Sequence, residues 1–286
     1  MTKIRLAIPN KGRIAEPINE LMTKAGIHVR MTASRQLVAG TNDPSIDILF
    51  VRPIDIPEYV AKGVADIGIT GLDMVAERGS PVTPILDLNF GKATLVVAVP
   101  EDSPIKTISD LKGLRIATEF PGICKRYFEE QGVDVTIVEV SGACEAAPQL
   151  GVADAIADLT SSGTTLVINK LRIITEILVS TTNVIANEQS LNDKKEKIDE
   201  IILAFESVLA ASGMCYLMLN VSREKLTDIE KLIPGLGGPT IMDIAGSTSV
   251  SLHAVVPSDK VYQLINQLKN AGAHDILVLD ITRMVR

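Results

Sequence analysis

A chain of 286 residues is longer than one compact domain usually needs, so two or three domains are expected. Apolar residues make up 46%, aromatics only 3% and tryptophan is absent, a composition for aliphatic cores rather than disorder. A formal net charge of −7 excludes a general nucleic-acid or membrane-surface binder, while leaving room for a local basic pocket.

The opening "MTKIRLAIPNKGR" has no apolar signal core, and no uninterrupted apolar span approaches membrane length, so a soluble cytoplasmic protein is expected. "KIRLAIP" reads as a strand and "GRIAEPINELMTKAG" as an amphipathic helix ending on Gly26. "IDILFVRP", "DIPEYVAKG", "ADIGITG" and "LDMVAERG" continue the alternation of strand and helix. Strands that are apolar almost throughout, alternating with helices, imply a parallel sheet covered on both faces. Near residue 92 a second βα unit begins. "ATLVVAVP" is a long apolar strand, "SDLKGLRIATEF" gives a helix and a strand, and "GICKRYFEEQG" is helical. "VTIVEVSG" is a strand, "EAAPQLG" helical and "ADAIADL" a strand. "IITEILVSTTNVIANE" reads as a return strand.

A change of pattern falls in "EQSLNDKK", residues 188–195. "NDKKEKIDEIILAFESVLAASG" is then a long amphipathic helix. The six segments that follow, from "CYLMLNVS" to "DILVLDITRM", have the order β-α-β-β-α-β, the ferredoxin-like arrangement. Alone, such a domain suits dimerisation as well as ligand sensing. Cys124, Cys144 and Cys215 are odd in number and lack metal-ligand spacing, so buried free thiols are expected. His253 on the apolar strand "VSLHAVV" reads as a structural histidine rather than a metal ligand.

The stretch "ADAIADLTSSGTTL", residues 153–166, carries the most chemistry. Its loop follows a strand, and ligands of open α/β sheets sit at strand carboxyl ends. Gly163 permits a tight turn, and Ser161, Ser162, Thr164 and Thr165 offer hydroxyls and backbone N–H groups to a terminal phosphate. Asp154 and Asp158, four apart, suit sugar hydroxyls or a hydrated Mg²⁺ on a pyrophosphate. The same stretch also fits a Ser/Thr-rich turn capping a helix. Lys11 and Arg13 in "PNKGR", Arg52, and Asp73 in "GITGLD" all follow strands, where a shared pocket would form. Taken alone, Lys11 and Arg13 are more often solvated loop charges. Glu145 in "SGACEAAP" is placed to accept from a ribose or an amine, or to serve as a first-turn acid.

These segments carry a resemblance. "IPNKGR", "DIPEYVAKGVADIGITGLD", "FGKATLVVAVP", "SGACEAAPQLGVADAIADLTSSGTTL" and "PGLGGPT", in this order, resemble the long form of the ATP phosphoribosyltransferases, which begin histidine biosynthesis. The acidic pair running into a Gly–Thr–Thr loop resembles that family's signature for phosphoribosyl pyrophosphate (PRPP). Ser162 and Gly238 depart from the family's more usual Thr and Ser, and Cys124 and Lys125 from its "PxxTRRYF"-like segment.

The resemblance implies an α/β fold with a two-lobed catalytic part like the periplasmic solute-binding proteins, followed by the ferredoxin-like βαββαβ domain. Residues 1–91 with 179–190 would form one lobe, 92–178 the second with the PRPP loop, and 191–286 a regulatory domain. It implies transfer of the 5-phosphoribosyl group from PRPP to N1 of ATP, with Mg²⁺ accompanying the pyrophosphate near Asp154 and Asp158. It further implies feedback inhibition by histidine bound through Asn220, Leu236 and Thr240, and dimers assembling into hexamers. A solute-binding or sensor protein, an inactive regulator, and a transferase using another acceptor are the competing readings.

Overall fold

The computed structural model describes residues 3–30, 36–233 and 238–286. The chain divides into two compact units, one of Met1–Thr23 and Ile27–Ile202, the other of Lys24–Gly26 and Leu203–Arg286.

The larger unit holds two sheets. Strands β1 (Ile4–Pro9), β2 (Val29–Arg30), β3 (Val38–Thr41), β4 (Ile46–Val51), β5 (Ile67–Gly71) and β6 (Thr83–Asp87) lie in the first, with helices α1 (Ala15–Lys24), α2 (Ile56–Ala61) and α3 (Leu72–Arg78) between them. The second contains β7 (Ala93–Pro100), β8 (Arg115–Thr118), β9 (Thr136–Glu139), β10 (Ala155–Thr160) and β11 (Leu171–Ser180), with α4 (Pro121–Glu130) and α5 (Thr164–Ile168). Strand β12 (Thr182–Ala186) then returns to the first sheet. The strand orders are β2-β3-β4-β1-β5-β12-β6 and β11-β7-β10-β8-β9.

The centre of each sheet is parallel, β4-β1-β5 in one and β10-β8-β9 in the other. Both faces of these strands are covered, which is why β5 is buried at every position and reads as an unbroken apolar run. The margins correct the expectation of a purely parallel sheet. β3, β6, β7, β11 and β12 all pair antiparallel, and apart from β3 beside β4 their partners are distant in the chain. The expected return strand is also two strands in two different sheets, with Thr181 between them. "EAAPQLG" yields only a 3₁₀ turn, Cys144–Ala146, before a run of turns; Pro148 brings no N–H to a longer helix.

The chain crosses between the two lobes twice, at residues 88–92 and at Thr181. The crossings are hydrogen-bonded to each other, with Leu88 N donating to Thr182 O at 2.9 Å and Thr182 N to Phe90 O at 3.0 Å. Two adjacent, mutually hydrogen-bonded crossings thus connect the two sheets of the larger unit. A further tie joins α3 to α4. The Glu77 carboxylate accepts from the Gly122 and Ile123 N–H groups at 2.8 and 2.9 Å, capping a helix that has no side-chain cap of its own. Arg126 donates back to the Ala76 carbonyl.

Helices α6 (Glu188–Asp193) and α7 (Lys195–Ala211) follow, the division between the units falling inside α7. The smaller unit contains β13 (Met214–Ser222), α8 (Leu226–Leu232), β14 (Thr240–Asp243), β15 (Ser249–Pro257), α9 (Val261–Asn270) and β16 (His274–Asp280). Its antiparallel sheet runs β14-β15-β13-β16, the ferredoxin-like order. β13 and β15 alternate buried and half-buried residues because only one face is covered. Leu217, Leu219, Leu252 and Val256 pack there with Ile229, Leu264 and Leu268. Among the described residues no helix is long and apolar enough to cross a membrane.

Candidate active site

The parallel strands direct their carboxyl ends to one edge of each lobe. On the first lobe that edge carries Lys11 and Arg13 after β1, Arg52 after β4 and Asp73 after β5. On the second it carries Glu119 after β8, Glu145 in the turn after β9, and the 161–165 loop after β10. Arg13 joins the two edges: its Nη1 donates to Ser161 Oγ at 2.9 Å and its Nη2 to Gly91 O at 3.2 Å.

The loop turns on Gly163, whose φ of +76° lies in the left-handed region open to glycine. Gly163 N donates to Thr160 Oγ1 at 2.9 Å, and the hydroxyls of Ser162 and Thr164 lie 2.9 Å apart. Ser161, Ser162, Thr164 and Thr165 are exposed, a loop with little side-chain bulk and several hydroxyls. Asp158 stands at the base of this loop, on β10 two residues before its end, with Leu159 N donating to its Oδ1 at 2.8 Å. Burial pushes its carboxyl up to about 6 and the charges of Glu145 and Glu119 push the same way, against the lowering effect of the Leu159 N–H.

Asp154 does not join it. Four residues of extended chain separate the two carboxylates by about 13 Å, and Asp154 precedes β10 at the opposite edge. There it accepts Arg115 Nη2 on Oδ1 at 3.0 Å and Arg115 Nε and N on Oδ2 at 3.1 and 2.9 Å. The guanidinium holds its carboxyl below the usual range. The expected acidic pair is therefore split by the fold: Asp158 lies beside the hydroxyl loop, and Asp154 forms a clamp between adjacent strands at the other edge.

Arg52 reaches the site edge but is committed through Nε to Asp55 at 2.9 Å, which also receives Arg78 Nη2 at 3.0 Å. Lys11 is exposed at the mouth. Asp73 is buried, taking the Ser180 hydroxyl on Oδ1 at 2.7 Å while its N–H donates to the same Ser180 Oγ at 2.9 Å. It lines a cavity of about 90 Å³ with Arg13, Met74, Gly91 and Thr182. Glu119 and Thr182 escaped the sequence reading. Glu119 had a signal, its position directly after a strand, but Thr182 lies inside an apolar strand with no local mark.

In the smaller unit Asn220 and Thr240 project from the same sheet face, two strands apart and offset by two residues, which is about 12 Å. Asn220 Nδ2 donates to Asp275 Oδ2 at 3.0 Å. Leu236 lies outside the described residues. Both ring nitrogens of His253 are engaged by protein hydroxyls, Tyr216 at 3.0 Å and Ser251 at 3.1 Å, a structural arrangement. Cys124, Cys144 and Cys215 are buried and free, with burial raising each thiol.

The ATP phosphoribosyltransferase family matches residues 52–207, and its C-terminal domain family matches residues 211–283. The chain belongs to the ATP phosphoribosyltransferase family. It is 50% identical over 288 residues to the ATP phosphoribosyltransferase of Methanosarcina mazei, covering 99% of each chain. To that of Haloarcula marismortui it is 48% identical over 283 residues, covering 99% of this chain and 100% of the relative. Among solved structures it is similar to a chain of the ATP phosphoribosyltransferase (HisG:HisZ) complex from Thermotoga maritima. That match has 32% identity and a TM-score of 0.64 over 71% of this chain and 96% of the other.

Proposed function

We propose that this chain transfers the 5-phosphoribosyl group of PRPP to N1 of the adenine ring of ATP, releasing pyrophosphate and opening histidine biosynthesis. Given the family, the observation that carries the reading is the Arg13–Ser161 contact, which sets a basic side chain against the hydroxyl loop across the two edges.

In the attack the N1–C1 bond forms as the bond from C1 to the pyrophosphate oxygen breaks, and the electron pair leaves with pyrophosphate. Positive charge gathers on the sugar ring, so positioning and electrostatic stabilisation are the protein's work. Ser161, Gly163, Thr164 and Thr165 cradle the 5-phosphate, while Asp158 accepts from the ribose hydroxyls. Asp158, Glu145 and Glu119 give that edge the negative field that a cationic ring favours. Lys11, Arg13 and Arg52 meet phosphates; Arg52 spends only its Nε on Asp55, leaving its terminal amines available. Neutral adenine has no proton on N1, so the attack requires no general base. Closure of the lobes, residues 1–91 with 179–190 against 92–178, excludes water from the activated sugar.

Mg²⁺ neutralises the leaving pyrophosphate when bound. Among the described residues no three His, Cys, Asp or Glu side chains gather as a metal cage, so the chain fits an ion carried in by the substrate's oxygens. Residues 191–286 serve regulation: Asn220 and Thr240, on one sheet face, receive histidine as inhibitor, and Leu236 belongs to the same site. Dimers assembling into hexamers complete the reading.

The test is an assay with PRPP, ATP and Mg²⁺, with pyrophosphatase added, run with and without histidine. Formation of phosphoribosyl-ATP, suppressed by histidine, is expected. Absence of product overturns the transferase reading, and product insensitive to histidine overturns the regulatory one.

A further inference from the structure

Among the described residues, one buried side-chain polar atom has no hydrogen-bond partner, Thr182 Oγ1. A hydroxyl left unpaired in a protein interior is costly, so a ligand that completes it is a natural explanation. Thr182 is 1% exposed, and it lines the small cavity that also holds Asp73 and opens beside Arg13. Gly91 lies against it: a Cβ there would sit 2.5 Å from Oγ1, so any side chain would crowd this hydroxyl.

The chemistry of the lining narrows the occupant. Asp73 accepts the Ser180 hydroxyl on Oδ1, and no described residue donates to Oδ2. A carboxylate there repels phosphates and calls for N–H donors. Ile14 and Met74 supply apolar contact for a flat ring. The volume, about 90 Å³, suits one edge of a heterocycle rather than a whole nucleotide.

We propose that this cavity grips the exocyclic amino group of the acceptor ring, with Asp73 accepting one N–H and Thr182 Oγ1 the other. The assignment rests on the transferase reading above. An amino group held this way leaves the adjacent ring nitrogen's lone pair free to attack C1. As the N–C bond forms, positive charge spreads onto the amino nitrogen, and its hydrogen bond to Asp73 strengthens. A ring bearing a carbonyl there would set an acceptor against the carboxylate, so Thr182 and Asp73 together select amino over oxo purines.

The experiment compares the wild-type chain with Thr182→Val and Thr182→Ser, using ATP and ITP as acceptors, with melting temperatures measured alongside. For Thr182→Val, KM for ATP should rise about tenfold and the preference for ATP over ITP should fall by about the same factor, with KM for PRPP nearly unchanged. Its melting temperature should hold or rise, because the deleted hydroxyl had no partner. Thr182→Ser should restore both ATP affinity and the preference. Unchanged ATP preference in Thr182→Val, or equal losses towards ATP and PRPP, overturns the inference. Should the wild-type chain make no product, the transferase reading falls, and calorimetric binding of ATP and ITP decides this point separately. Tighter binding of ATP that Thr182→Val abolishes supports it, and equal binding overturns it.

Discussion

Arg13 and Ser161, 148 residues apart in the chain, meet through a 2.9 Å hydrogen bond that links the carboxyl edges of two different sheets. A guanidinium held at a hydroxyl loop is preset for a phosphate, since its remaining N–H groups and the hydroxyl point to the same place.

Replacing Arg13 with Ala should raise KM for PRPP by tenfold or more, about 1.4 kcal/mol or above, and leave the fold intact. Arg13→Lys should recover only part, because an ammonium cannot hold Ser161 and a phosphate in one plane. Steady-state kinetics beside a thermal melt separates these outcomes from unfolding.

Asp158 predicts a pH dependence of two kinds. Its carboxyl titrates near 6 in the folded chain, above its ordinary value. A raised folded pKa means stability that is fully present at low pH and lost as pH rises from about 4 through 6. Asp158→Asn should therefore be more stable than the wild type above pH 6, by about 1–2 kcal/mol after allowance for partial exposure, with the advantage fading toward pH 4. Activity moves the other way: the wild type should lose rate below pH 6 as the carboxylate is protonated, and Asp158→Asn should be nearly inactive at every pH. Urea denaturation and a pH–rate profile test the two halves.

Asp154→Asn should behave unlike Asp158→Asn, although the two aspartates look equivalent in the sequence. Loss of the Arg115 clamp should lower the melting temperature, with KM for PRPP changed by no more than about twofold. A collapse of PRPP binding in this variant would return Asp154 to the site.

Glu77→Ala removes the carboxylate that caps α4 from the other lobe. A loss of about 1–2 kcal/mol is expected, with faster amide exchange at Gly122 and Ile123. Protection unchanged at those two amides would mean that solvent or another group caps the helix equally well.

Thr240→Ala should relieve histidine inhibition while catalysis persists, because Thr240 lies in the smaller unit and the reacting groups in the larger. Unchanged inhibition removes Thr240 from the effector site.

Local pattern was enough for much of this. The apolar runs at 4–9, 67–71 and 93–100 declare strands covered on both faces, and the alternation in 214–222 and 249–257 declares a sheet covered on one. Gly163 among hydroxyl residues, directly after a strand, marks the loop because backbone freedom and strand polarity are local properties. The antiparallel margins left no such mark, since a buried strand looks the same whichever way its neighbour runs. The pairing of Asp154 and Asp158 also misled: on the strand the sequence itself indicates, a spacing of four spans about 13 Å and puts the two carboxylates at opposite edges.

What the sequence by itself determined was the order of elements, the ferredoxin-like pattern at the end, and which loops follow strands; each depends on neighbours within a few residues. Only the tertiary structure decided which of those loops meet. Arg13 finds Ser161, Glu77 finds α4, Arg115 clamps Asp154, and Thr182 is left with a buried, unpaired hydroxyl. Such contacts join residues dozens to more than a hundred positions apart. They are fixed by how two sheets pack and cross, which no local periodicity encodes.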